Sequence, residues 1–95
     1  MVSGVHGSGM ASTLAAALIR NLRAERTRAG LTQAELAGRL GWSDKTLARI
    51  ESGDRRLYFD EVPDVCRVLG IGIDRLLVDV DQGVLDALYP PGGRR

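Results

Sequence analysis

The hydrophobic residues in the first half of the chain recur at the three- to four-residue spacing of α-helices. From residue 12 onward, leucines at steps of four define one apolar face: Leu14, Leu18 and Leu22. Ser12 is the predicted N-cap of this helix, and Gly30 is its stop, so the helix is expected to run to about Ala29. Its early turns would either meet a partner helix or pack on the C-terminal segment.

Residues 31–53 predict two short helices joined by a tight turn. Thr32 is a good N-cap, and Glu35 three positions later completes a capping box. Gly41 provides the unhindered backbone of the turn, and Ser43 caps the second helix, which Gly53 closes. The inward-facing residues are Leu36, Ala37 and Leu40 in the first helix and Leu47 and Ile50 in the second.

The outward face of that second helix is polar. It carries Ser43, Asp44, Lys45, Thr46 and Arg49. Two helices joined by a short glycine turn, the second with a polar outward face, are the sequence form of a helix-turn-helix motif.

Two more helices are predicted after a polar loop that contains Arg55 and Arg56. The first begins near Asp60–Pro63, with Asp60 as the possible cap, because proline is tolerated in a first helical turn. It has an apolar stripe at helical spacing: Val62, Val65, Cys66 and Leu69. Gly70 ends it, and Asp74 is expected to cap a short fifth helix that carries Leu76 and Leu77.

Ninety-five residues are expected to form one small domain with a single aliphatic core, since only four residues are aromatic. We divide the chain into a Gly-rich N-terminal arm or cloning remnant (1–11), a folded domain (12–78) and a C-terminal tail (79–95). No apolar run approaches the length of a membrane span, so a cytoplasmic, nucleoid-associated protein is expected.

Charge is distributed unevenly along the chain. Residues 1–58 contain nine Lys/Arg and five Asp/Glu (+4), whereas residues 59–93 contain two and seven (−5). The basic half could face a polyanion, with the acidic half held away from it, although an ordinary mixed surface explains the balance about as well.

The sequence provides no set of residues for catalysis. The single histidine, His6, lies in the Gly-rich arm, and the single cysteine, Cys66, lies on an apolar stripe. There is no phosphate-cradling glycine motif and no cluster of metal-ligand residues. We therefore expect a protein that is not an enzyme and has no cofactor or metal.

With these helices placed, residues 19–77 resemble the Cro and phage-repressor (Xre-type) helix-turn-helix family. The resemblance rests on an ordered set of matches: Leu22, Arg23, Arg26, Gly30–Gln33, Glu35–Ala37, Gly41, Ser43, Thr46, Arg49–Glu51, Gly53, Leu69, Gly70, Asp74, Leu76 and Leu77. It implies an all-α, five-helix, lambda-repressor-like domain, with or without an extra short helix at its C-terminus.

The resemblance also implies functional roles. The helix over residues 43–52 would enter the major groove of double-stranded DNA, with Asp44, Lys45, Thr46 and Arg49 facing the bases. Gln33 would bond phosphate, and Arg55 and Arg56 would suit phosphate or minor-groove contact. Arg26 and Glu51 match a partly buried ion pair, the alternative being two solvated charges.

Three residues depart from the family pattern. Asp44 stands where glutamine is common, and a carboxylate near phosphates is unfavourable unless it accepts from a cytosine amine. Leu57 replaces a frequent proline in the loop. Trp42 replaces a smaller apolar residue, either as a core filler or as a contact to the DNA backbone.

We expect a sequence-specific DNA-binding transcriptional regulator, with repressor as the leading role. One recognition helix makes few base contacts, so a homodimer on an inverted repeat is expected. The fifth helix with the tail over residues 78–89 is favoured over the extended first helix as the dimer surface. The alternative is an antitoxin or an adaptor that uses the same fold to bind a protein partner.

Overall fold

The computed structural model describes residues 5–81, 83 and 86, and these form an all-α arrangement without strands. The helices are α1 (Val5–Arg28), α2 (Gln33–Leu40), α3 (Asp44–Ser52), α4 (Val62–Leu69) and α5 (Ile73–Leu76), with a 3-10 turn (Phe59–Glu61) before α4. The predicted fold class, an all-α helix-turn-helix domain, is confirmed. None of the described helices combines the length and apolarity needed to cross a membrane.

Both helices of the central motif are closed by the predicted caps. The hydroxyl of Thr32 accepts from the amide of Glu35 at 3.0 Å, and the Glu35 carboxylate accepts from the amide of Thr32 at 2.8 Å. Ser43 accepts from the Thr46 amide at 3.2 Å at the start of α3. Gly41 and Gly53 end α2 and α3 in the left-handed region, at φ +76° and +88°.

One aliphatic core holds these helices together. Its buried members are Leu22, Leu36, Ala37, Leu47, Ile50, Val62, Val65, Cys66 and Leu76. Ala37 is fully buried where α2 approaches α3, and a small residue there permits close helix packing. Trp42 is half-buried against the core, as expected of a filler.

The predicted start of α1 at Ser12 is wrong, because the helix begins at Val5. The prediction rested on residues 1–11, which contain three glycines and two serines and show no hydrophobic period. However, no proline or cap interrupts the chain between Val5 and Arg28, so the hydrogen bonding extends back from the packed turns. Leu14 and Ala17 are buried, so this face of α1 is not an open surface for a partner helix.

Two further caps differ from the prediction. Asp60 lies inside the 3-10 turn, which begins earlier because the Glu61 carboxylate accepts from the Tyr58 amide at 2.8 Å. Gly72, not Asp74, is the N-cap of α5, and Asp74 lies in its first turn. A carboxylate there still favours the helix through its dipole.

The C-terminal end of the fold is attached to α1. The side-chain amide of Asn21 donates to the carbonyls of Leu76 at 2.7 Å and Val78 at 2.8 Å. Gly83 and Asp86 are helical. Residues 1–4 and most of 82–95 lie outside the described residues, so the proposed tail and dimer segment remain predictions.

Candidate nucleic-acid interface

Helix α3 is fixed on one side and open on the other. Its inner side chains, Leu47, Ile50 and Glu51, are buried, and its two ends are capped. Asp44, Lys45 and Arg49 project from the opposite side and are exposed. The candidate base-contacting side chains therefore lie on a helix whose position is set by the core.

The two hydroxyl residues at the start of α3 have partly structural roles. Ser43 caps the helix, and its hydroxyl lies 3.0 Å from that of Thr46. Thr46 is half-buried, whereas Lys45, the preceding residue, is exposed. A ligand that approached this end would therefore meet the exposed side chains of Ser43, Asp44 and Lys45 first, and the Thr46 hydroxyl at closer range.

Arg26 and Glu51 are in contact and anchor the end of α3 to α1. The guanidinium donates to the carboxylate at 2.7 Å (Nε to Oε2) and 3.0 Å (Nη2 to Oε1), and to the Leu31 carbonyl at 2.7 Å. The Glu51 side chain is only 2% exposed. Burial opposes its ionisation, but hydrogen bonds from Arg26 and Gln33 outweigh this and lower the pKa of Glu51.

Gln33 is part of the same network. Its amide nitrogen donates to Oε1 of Glu51 at 2.9 Å, an interaction that the sequence did not indicate. An amide nitrogen carries two hydrogens, so one N–H of Gln33 remains for an anion at the start of α2. The contact with Glu51 would hold that N–H in place.

Arg55 and Arg56, which the sequence grouped together, have different environments. Arg55 donates to both oxygens of Glu61, at 3.1 and 2.8 Å, and its guanidinium lies 4.8 Å from the Tyr58 ring centroid and 5.9 Å from that of Trp42. The hydrogen bonds raise the pKa of Arg55 and lower the pKa of Glu61. Arg56 is exposed, and no ion pair of the described residues involves it.

The sequence did not indicate the roles of Glu61 and Asn21. Glu61 holds the start of the segment that contains α4 and α5, and Asn21 holds its end. Glu61 acts locally, since it lies three positions after Tyr58 and its carboxylate accepts from the Tyr58 amide, which is half of the pattern of a capping box. Asn21 has no local signal, because its acceptors lie 55 and 57 positions away.

Other groups in the described part of the chain offer no reactive site. Cys66 is buried, and burial followed by the Asp74 charge raises the pKa of its thiol. No group of three or more His, Cys, Asp or Glu residues in this part could hold a metal ion. A shallow apolar cleft of about 240 Å³ lies between α4 and α5, where Pro63 and Ile73 line it.

Comparisons with known proteins give a consistent picture. A family model described as "Helix-turn-helix domain" matches residues 17–77. The crystal structure of the clp gene regulator ClgR from Corynebacterium glutamicum is similar, with a TM-score of 0.65 and 25% sequence identity. That similarity covers 81% of this chain and 95% of that chain. No curated protein sequence matches.

Proposed function

The chain belongs to the helix-turn-helix domain family, which makes it a DNA-binding transcriptional regulator, and we propose that it is a sequence-specific repressor. It would read double-stranded DNA with α3 in the major groove. The observation that carries this proposal is the exposure of Lys45 and Arg49 on a helix whose opposite side is buried and whose end is anchored by the Arg26–Glu51 pair.

Within this proposal, base reading falls to the outward side chains of α3. Lys45 and Arg49 suit the N7 and O6 acceptors of guanine, and Thr46 offers a methyl and a hydroxyl group. Asp44 is exposed next to Lys45, where its carboxylate would accept from a cytosine amine and disfavour bases that present only acceptors. Asp44 would thus contribute to specificity more than to affinity.

Backbone contacts would come from the residues around this helix. Gln33 has one amide hydrogen free beside the N-terminus of α2, where backbone amides also favour an anion. Arg56 is the exposed cation of the following loop. Arg55 would contribute indirectly, because its pairing with Glu61 fixes the loop that presents Arg56.

A homodimer on an inverted repeat is part of the proposal. Three or four side chains from one helix discriminate few base pairs, and a two-fold pair of helices doubles the site. Sedimentation with and without DNA tests this, and we expect two chains on one duplex. A single chain bound to a non-repeated site would contradict it.

Selection of binding sites from random duplex DNA tests the proposed reading function. We expect an enriched sequence with two related half-sites, and a reporter with that site inside its promoter should lose expression when the protein is present. Recovery of no common sequence would contradict sequence-specific reading, and increased expression would contradict repression. The similarity to a protein described as a gene regulator supports a regulatory role.

A second function, as an antitoxin or adaptor that binds a protein partner, is favoured by one observation. Ile73 is 47% exposed beside the apolar cleft between α4 and α5. Under this alternative, Lys45→Ala and Arg49→Ala would abolish DNA binding and leave partner binding intact. Under the repressor proposal alone, no partner is needed for regulation.

A further inference from the structure

A second cleft lies between α1 and the end of α3. Its volume is about 360 Å³, and α1 lines one wall with Ala16, Ile19, Arg20 and Arg23. Ser52 and Gly53, at the end of α3, line the other. The cleft therefore combines an apolar surface with two guanidinium groups, directly beside the helix proposed to read DNA.

The two arginines of this cleft take part in no ion pair of the described residues, although the charge of Arg23 helps to lower the pKa of Glu51. Arg20 and Arg23 are both exposed. By contrast, Arg26 pairs with Glu51, Arg28 with Glu25, and Arg75 also with Glu25. Exposed guanidinium groups that form no ion pair are available to an external anion.

The carboxylate that lines the cleft does not repel such an anion strongly. Both oxygens of Glu51 accept hydrogen bonds from Arg26, and Oε1 also accepts from Gln33. Its side chain is almost entirely buried and its charge is matched by Arg26 at 2.7 Å. The accessible charge in the cleft is therefore that of Arg20 and Arg23.

The helical spacing of α1 explains why these groups share one surface. Residues 20, 23 and 26 are three apart, so they follow one stripe of the helix. Arg26 fixes the orientation of this stripe by binding Glu51 at the end of α3. On the same stripe, Arg23 lies about one turn before Arg26, and Arg20 lies about two turns before it. Both side chains therefore line the space beside Ser52.

We infer that this cleft holds the sugar-phosphate backbone of the bound duplex, with Arg20 and Arg23 on the phosphates at the edge of the site read by α3. This inference rests on the proposed function and adds a backbone contact that the sequence analysis did not identify. Guanidinium groups recognise phosphate oxygens with directed hydrogen bonds. Ala16 and Ile19 offer the apolar surface that faces a deoxyribose ring.

The salt dependence of binding measures this contact. A cation that neutralises one phosphate contributes about 0.9 to the slope of log K against log salt concentration. Arg20→Ala and Arg23→Ala should each reduce the slope by about 1 for every chain bound, and should weaken binding equally for the selected site and for unrelated duplex. The double variant Arg20→Lys/Arg23→Lys should keep most of the slope, because it retains the charges.

Arg67→Ala is the matched control. Arg67 is also an exposed arginine, paired with Asp64 at 3.1 Å in the acidic half of the chain, so its removal should leave the slope unchanged. All variants are compared by fluorescence anisotropy over a series of salt concentrations, after urea unfolding has established that they are folded. An Arg20→Ala/Arg23→Ala slope equal to that of the wild type would overturn the inference. Loss of affinity for the selected site alone would also overturn it, because backbone contacts carry no sequence preference.

These failures are distinguishable from failure of the proposed function. If the cleft inference alone is wrong, Lys45→Ala and Arg49→Ala still weaken binding, while the Arg20→Ala/Arg23→Ala variant binds like the wild type. If the wild-type protein binds no duplex at low salt, the proposed function fails and the inference fails with it.

Discussion

Arg26 on α1 and Glu51 in the last turn of α3 are joined by two hydrogen bonds across 25 positions of sequence. The side chains are 13% and 2% exposed, so the pair is largely removed from water. Since Gln33 at the start of α2 donates to the same carboxylate, one buried charge connects the first three helices. The orientation of α3, and with it the proposed reading surface, depends on this connection.

Glu51→Ala should lower the free energy of unfolding by about 3–5 kcal/mol, because it leaves the Arg26 charge buried without its partner. Urea unfolding measures the loss. Asp64→Ala is the control: it removes one member of an exposed pair whose side chains are 70% and 62% exposed, and should cost about 1 kcal/mol or less. Equal, small losses in both variants would mean that the Arg26–Glu51 pair behaves as two solvated charges.

The same pair predicts a pH dependence of stability. Because folding lowers the pKa of Glu51, its contribution is present above the pKa of an unfolded glutamate, about 4.3, and is lost as the pH falls through the folded value. The difference in unfolding free energy between the wild type and Glu51→Gln should therefore narrow below about pH 4.3. Glu35 and Glu61 contribute equally to the pH dependence of the wild type and of Glu51→Gln, so their contributions cancel in this difference. A difference that stays constant from neutral to acidic pH would contradict the prediction.

Two glycines three positions apart in the motif should respond to alanine with opposite signs. Gly41 has φ +76°, where a side chain is strained, so Gly41→Ala should destabilise the fold by about 1–2 kcal/mol. Gly38 lies in the exposed interior of α2 with nothing within 4 Å of an added Cβ, so Gly38→Ala should stabilise by about 1 kcal/mol. Thermal and urea unfolding of both variants test this. A change of the same sign in the unfolding free energy of both variants would contradict the assignment of Gly41 as the C-cap.

Arg55 and Arg56 should separate stability from DNA binding. Arg55→Ala removes the contacts with Glu61 and Tyr58, so it should lower the melting temperature. Arg56→Ala should leave the melting temperature unchanged and reduce the salt slope of DNA binding by about 1. Unfolding and anisotropy are measured on the same preparations. A reduced salt slope for Arg55→Ala without any change in stability would contradict this separation. It would mean that Arg55 leaves Glu61 and contacts a phosphate when the protein binds DNA.

The features that could be predicted from sequence are those whose cause is local. Thr32 with Glu35, Ser43 and Gly53 act within three or four residues, so the caps of α2 and α3 were predicted correctly. The start of α1 was not, because a Gly-rich stretch without a breaker does not by itself show where hydrogen bonding ends.

The long-range features of the candidate site needed the structure. The Arg26–Glu51 pair came only from a family resemblance, since a separation of 25 residues leaves no periodic signal. The partner of the Gln33 amide depends on how α2 packs against α3. The separate environments of Arg55 and Arg56 depend on how the loop after α3 folds back. The outward face of α3, by contrast, followed from the spacing of Leu47 and Ile50.

The most direct test of the central claim, that α3 reads DNA sequence, is an anisotropy titration of Arg49→Ala against the selected duplex and a scrambled duplex. Arg49 is exposed and no ion pair of the described residues uses it, so its loss should not unfold the protein. We predict that the free energy of binding to the selected site becomes less favourable by about 1–3 kcal/mol, while that of binding to the scrambled duplex changes much less. If the wild type and the variant distinguish the two duplexes equally well, α3 does not read the sequence through Arg49, and the central claim is contradicted.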